Sequence, residues 1–173
     1  MPTRLDFKKL SLMDALDLAV LIEAEAYDRY RMFAEQLGHR AAGDAASAFA
    51  AMAENEKKHG VDLMQKRKAR YGATPTRVRR DDLFDVEAPD EGSPRAGMST
   101  LQAYEIALAA EQKALAFYTD ALAHVQDADI RGLFTELRDE EVEHVRLVRA
   151  AIAALPPSAA REWELDDDEL PQL

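Results

Sequence analysis

Residues 53–63 read AENEKKHGVDL, and residues 139–148 read DEEVEHVRLV. Both lie where apolar residues recur at helical spacing, and both set a Glu and then a His on the apolar stripe itself. In the first, Glu56 and His59 follow Phe49 and Met52 and precede Leu63. In the second, Glu141 and His144 follow Ile130, Phe134 and Leu137 and precede Val148 and Ala151. Side chains three apart on a helix point the same way, so each Glu-x-x-His pair faces inward together.

Working outward, each of these helices has a partner with a shared unit of its own. IEAEAYDRYRMFAEQL, residues 22–37, corresponds to AAEQKALAFYTDAL, residues 109–122: Glu23 precedes Tyr30 at the same spacing at which Glu111 precedes Tyr118. The first helix carries Leu16, Ala19, Glu23, Ala26, Tyr30, Phe33 and Leu37 on one face, and the third carries Tyr104, Leu108, Glu111, Leu115, Tyr118 and Leu122. The halves of the chain therefore repeat, each as a helical hairpin.

Start and stop signals set the boundaries. Ser11 with Asp14 and Ser99 with Gln102 fit capping boxes, Asp44 fits an N-cap, and Asp127 or Asp129 can open the last helix. Gly38 closes the first helix and LPP at 155–157 the fourth. These signals predict helices over about 11–38, 44–71, 99–125 and 128–155. Residues 72–98, with Pro75, Pro89, Pro94 and several glycines, are too long for a tight helical turn. Neither hairpin alone can bury its inner stripe, so this segment reads as a crossover within one all-α four-helix bundle spanning 1–155. Residues 156–173 read as an acidic C-terminal tail, in which ELDDDEL is a solvated charge run and Trp163 a candidate anchor.

Composition narrows the function. With 22 Lys plus Arg against 33 Asp plus Glu, the formal charge is −11, which argues against a nucleic-acid surface and favours cations. KRKARYG, at the end of the second helix, places positive charge where the helix dipole favours it. There is no cysteine, so thiolate zinc sites, iron–sulfur clusters and a built-in rubredoxin-type centre are excluded, and any metal must take oxygen and nitrogen ligands. No signal-peptide pattern opens the sequence and no apolar run approaches a membrane span, which predicts a cytoplasmic protein without membrane partners.

A lone Glu or His on an apolar stripe usually snorkels or is satisfied within the core. Four helices each with an inward Glu, two of them adding a His, is a different matter. Unpaired buried carboxylates cost several kcal/mol each and repel one another. No basic residue recurs at inner positions, whereas two divalent cations would neutralise four carboxylates, with two imidazoles completing the ligand set. Glu23, Glu56, His59, Glu111, Glu141 and His144 are the candidate ligands. Tyr30 and Tyr118 lie two turns from Glu23 and Glu111 and suit hydrogen bonds to them. His39 and His124 sit near helix ends, where capping or solvation explains them, and Met52 is core filler.

A Glu from each of two helices with Glu-x-x-His from the other two is the hallmark of ferritin-like di-iron and di-manganese bundles. On EAEAYDRYRMFAEQL, AENEKKHG and DEEVEHVRLV, residues 11–155 resemble the rubrerythrin-like branch of the ferritin-like superfamily. That resemblance implies two iron ions, with manganese or a mixed pair as alternatives, bridged by Glu56 and Glu141 and capped by Glu23 and Glu111, with one histidine on each. It implies a peroxidase or ferroxidase reacting with hydrogen peroxide or dioxygen. The alternatives are an iron-storage subunit and a di-manganese catalase-like enzyme. The branch's further carboxylate one turn after the third-helix ligand is Ala114 here, and without cysteine its electrons must come from a separate donor protein. A homo-oligomer, a dimer in the first instance, is expected.

Overall fold

The computed structural model describes residues 6–82 and 86–164. Four long helices build it: α1 (Leu12–Leu37), α2 (Ala45–Tyr71), α3 (Thr100–His124) and α4 (Ala128–Ala154). Each starts on a side-chain cap. Ser11 with Asp14 and Ser99 with Gln102 form complete capping boxes, Asp44 accepts the Ser47 N–H, and Asp127 rather than Asp129 caps α4. Gly38 leaves α1 at φ 62°, a backbone setting that costs glycine little.

The apolar residues form two clusters, one toward each end of the bundle. The first gathers Phe7, Leu16, Leu18, Ile22, Leu63, Phe117, Ile130, Phe134 and Leu137. The second gathers Ala26, Phe33, Phe49, Met52, Met98, Ala103, Ala107, Ala110 and Val148. Chain order through them fixes the topology. α1 and α4 run from the first cluster to the second, while α2 and α3 run back. The hairpins α1–α2 and α3–α4 are thus antiparallel. α2 and α3 point the same way, which demands a connection that returns along the bundle.

That return is the expected crossover, and α1 and α3 hold it down. Arg67 pairs with Asp17 at 2.7 Å and donates to the Gly72 and Thr74 carbonyls, fixing its start. Arg77 reaches Asp14 and Arg80 reaches Asp28 on α1. Farther on, Arg29 of α1 donates to the Pro89 carbonyl at 3.0 Å and Lys113 of α3 to the Ala88 carbonyl at 2.8 Å. Val78, Val86 and Ala88 of the crossover itself are buried.

The inner face of α3 differs from the sequence expectation. Its buried positions are Ala103, Ala107, Ala110, Glu111, Ala114, Phe117, Tyr118 and Ala121, whereas Tyr104, Leu108, Leu115 and Leu122 are only partly buried. Glu111 and Tyr118 keep their inward places. Hydropathy favours Leu over Ala for the interior, but where aromatic rings and carboxylates already fill the space between helices, only a methyl group fits. Leu37, His59, His144 and Ala151 are likewise half-buried at the stripe margins. Beyond α4 the chain makes a 3-10 turn over Pro157–Ala160, and the Trp163 N–H donates to the Gly97 carbonyl at 2.8 Å, which ties this end to the crossover. Most of ELDDDEL lies outside the described residues.

Candidate metal centre

Between the two apolar clusters lies a polar belt. Glu23 stands between Ile22 and Ala26 on α1, Glu56 between Met52 and Leu63 on α2, Glu111 between Ala110 and Phe117 on α3, and Glu141 between Leu137 and Val148 on α4. None of the four carboxylates is more than 2% exposed. Helix phase puts them there: each sits on the stripe its neighbours bury, so folding the apolar faces together forces the charges to meet.

The six expected ligand residues form two trios, Glu23–Glu56–His59 from the first hairpin and Glu111–Glu141–His144 from the second, with one ligand atom from each member within 4.8 Å of the others. His59 Nδ1 stands 3.9 Å from both Glu23 and Glu56, and His144 Nδ1 stands 3.2 Å from Glu111 and 3.3 Å from Glu141. The two imidazoles stack, centroids 4.6 Å apart and planes 5° from parallel, across the junction of the hairpins. They are the accessible side of the centre. His59 is 28% and His144 16% exposed, and His59 also lines a cavity of about 260 Å³ with Asp62, Gln65, Lys66 and Glu140. A cavity of about 750 Å³, lined by residues of the 41–44 loop and of 155–164, touches none of these residues.

A fifth carboxylate enters from the crossover. Glu87 is 1% exposed and comes within 4.8 Å of Glu23 and Glu141 in one grouping and of Glu56 and Glu111 in another. Sequence reasoning missed it because the crossover has no period that would assign a residue to an inner face. The available signal was composition: Val86, Ala88 and Pro89 make a short apolar patch around Glu87 in an otherwise charged and polar segment.

Burial dominates the ionisation of the group. It pushes Glu56 up to about 7, with Glu111 adding repulsion, and Glu141 up to about 8 against the pull of His144. Glu23 and Glu87 are raised well above the usual carboxylate range by burial and by the surrounding carboxylates. The histidines diverge. Burial opposes charge on both, but Glu111 and Glu141 outweigh it at His144 and hold that imidazole up at about 11, whereas His59, with His144 beside it, is lowered. In the metal-free protein one imidazolium thus offsets part of the negative charge.

One imidazolium is not enough. Among the described residues, every buried side-chain N or O lacking a hydrogen-bond partner belongs to this group: Glu23, Glu56, Glu87, Glu111, Glu141, His59, His144, Tyr30 and Tyr118. The short His–Glu approaches are close without being aligned as hydrogen bonds, and in each trio one ligand atom per residue lies within 4.8 Å of the others. A cation held by each trio would satisfy them, so the residues fit a pair of metal ions. Tyr30 and Tyr118 are fully buried beside the belt, but neither hydroxyl makes the expected hydrogen bond to the Glu of its own helix. Burial and the surrounding carboxylates, Glu111 first for Tyr30 and Glu23 first for Tyr118, raise both phenols, and the rings pack within their own hairpins, Tyr30 on Phe49 and Tyr118 against Phe134. His39 lies beside Ser47 and Asp44, and His124 beside Asp120, both away from the centre.

The sequence profile of the rubrerythrin family matches residues 14–152, which takes in α2, α3, nearly all of α1 and α4, and both trios. The chain belongs to the rubrerythrin family. Its ferritin-like bundle carries a candidate dimetal arrangement of the kind this family of oxidoreductases uses. No protein with a curated function matches the chain. Two solved structures share the fold. An uncharacterized conserved protein from Magnetospirillum magnetotacticum is 24% identical, with a TM-score of 0.66, over 85% of this chain and 97% of its own. A hypothetical protein from Pyrococcus furiosus is 23% identical, with a TM-score of 0.53, over 83% of this chain and 89% of its own. No helix among the described residues is long and apolar enough to cross a membrane.

Proposed function

We propose that this rubrerythrin-family protein is a di-iron oxidoreductase that reacts with hydrogen peroxide or dioxygen. Glu23, Glu56 and His59 would hold one iron and Glu111, Glu141 and His144 the other. Glu56 and Glu141 are the proposed bridges on the family resemblance, and each lies within 4.8 Å of a carboxylate from the opposite trio, as Glu23 and Glu111 do. The observation that carries the reading is the confinement, among the described residues, of unsatisfied buried polar atoms to this one group. A proton-sharing network alone would leave too few donors for so many acceptors.

Two bound irons would supply the redox chemistry, one electron from each ion. The protein's residues do the rest. Carboxylates favour the higher oxidation state by their charge. The apolar clusters above and below exclude water from the belt, so oxidant and proton exchange are left to the half-open histidine side. A chain without cysteine needs a separate electron-donor protein, and a homodimer is the proposed assembly.

Anaerobic Fe(II) titration of chelator-treated protein tests the reading, with two ions per chain expected. A stoichiometry near zero refutes it. Mixing the loaded protein with peroxide and, separately, with dioxygen then ranks the oxidants: faster consumption of peroxide makes it a peroxidase, whereas release of ferric mineral makes it an iron-handling protein.

A further inference from the structure

We propose that Glu87 is a fifth carboxylate ligand of the dimetal centre, supplied by the crossover and shared between the two trios. The inference rests on the dimetal reading above and extends it to a residue outside the helices.

Four observations converge on Glu87. Both of its carboxylate oxygens are buried and without a hydrogen-bond partner. Its carboxylate reaches one member of each trio in both groupings that include it, Glu23 with Glu141 and Glu56 with Glu111, so it lies toward the junction and not against one site. Two cations stand close by in the chain, yet neither serves it: Lys113 donates to the carbonyl of Ala88 and Arg29 to that of Pro89. Their work is to clamp the backbone just past Glu87 from α1 and α3 at once, which fixes where the side chain enters. Finally, α3 itself offers only one carboxylate to the belt, because the inward position one turn after Glu111 is the fully buried Ala114.

A merely structural residue would not be built this way. Val86 and Ala88 already bury this part of the crossover, and an apolar side chain between them would close the core without desolvating a carboxyl group. A fifth carboxylate makes sense as a ligand. It raises the negative charge of the set above the four positive charges of a divalent pair, which favours a more highly charged pair.

Co(II) titration of wild type and Glu87→Gln, both chelated first and kept anaerobic, reads the role directly. Co(II) accepts the same oxygen and nitrogen ligands, and its visible absorption strengthens as coordination number falls. Loss of an outer partner of a metal ligand typically weakens binding about tenfold to a hundredfold, so loss of a ligand should weaken at least one ion by about tenfold or more. The Co(II) absorption of the variant should also rise. Unchanged affinity with an unchanged spectrum overturns the proposal. Wild type supplies the control. If it takes up no Co(II), the dimetal reading fails and this one with it; if it takes up two ions and Glu87→Gln does so identically, only the role of Glu87 falls. Amide hydrogen exchange of wild type gives an answer that needs no variant. Co(II) should slow exchange across residues 86–90 more than across the 38–44 loop, and equal slowing of both counts against a ligand in the crossover.

Discussion

Replacing Glu56 by Gln should stabilise the metal-free protein and destabilise the metal-loaded one. Glu56 is 1% exposed, and burial pushes its carboxyl from 4.5 up to about 7. Below pH 4.5 it is protonated in both folded and unfolded chains, and its burial carries no ionisation penalty. As pH rises toward 7 the unfolded chain ionises first, so folding must either hold the proton or bury the charge. Stability is lost across this window and the loss is complete above 7. The difference is worth on the order of 3 kcal/mol at pH 8. Gln keeps the shape and cannot ionise, so it recovers most of that amount, roughly 6–12 °C in melting temperature for a domain of this size. Metal reverses the order. An ion at a hundred times its dissociation constant adds about 2.7 kcal/mol per site, which the variant forfeits wherever Glu56 is a ligand. Thermal and urea unfolding at pH 8, in chelator and again with excess Mn(II), would measure both halves. A chelated Glu56→Gln protein no more stable than wild type would refute the reasoning, since it would mean that the core satisfies this carboxylate without a metal.

The same linkage predicts that chelated wild type loses stability steadily from about pH 4.5 to 8. Glu56 and Glu141 set that window, His144, whose contribution is full below 6.5 and lost toward 11, acts with the same sign, and the smaller, opposite contribution of His59, lowered below 6.5, is outweighed. A urea midpoint that is flat or rises between pH 5 and 8 would contradict it. Because these groups must shed protons to bind metal, Mn(II) affinity should tighten over the same range with measurable proton release, and pH-independent titrations would argue against them as ligands. His59→Ala and His144→Ala should each lower stoichiometry from two ions toward one, whereas loss of both ions from either variant would show that the trios do not bind separately. Tyr118→Phe removes a buried hydroxyl that has no partner. Chelated protein should then be unchanged or more stable by about 1 kcal/mol, and a clear loss in urea unfolding would reveal a hydrogen bond at that hydroxyl.

What the sequence discloses about this centre depends on regular spacing. Glu56 with His59 and Glu141 with His144 are legible because a helix converts an interval of three into a common direction, and the apolar neighbours say which direction is inward. The caps at Ser11, Asp44 and Ser99 are legible because the interactions are local. Glu87 is not, since the Arg29 and Lys113 clamps that hold the backbone beside it form across the fold. That Tyr30 and Tyr118 make no hydrogen bond to the Glu of their own helices is hidden for a related reason. A stripe tells which side of a helix is buried without telling which helix it meets. On α3 the error came from size: Leu108 and Leu115 are the more apolar residues, but Ala107 and Ala114 are the ones that fit.

Each trio belongs wholly to one hairpin, and this changes what counts as the working unit of the molecule. A single hairpin already owns a complete set of two carboxylates and an imidazole, aimed at one point and gathered by short-range folding. The surfaces through which the hairpins face each other at mid-height are lined not with matching grease but with carboxyl groups from both sides that lack hydrogen-bond partners. Metal-free, that middle contributes unsatisfied polar groups while the apolar clusters draw the halves together at either end. Cations would turn that unsatisfied seam into a rivet, so the same ions that would perform the chemistry would also weld the two halves into one bundle.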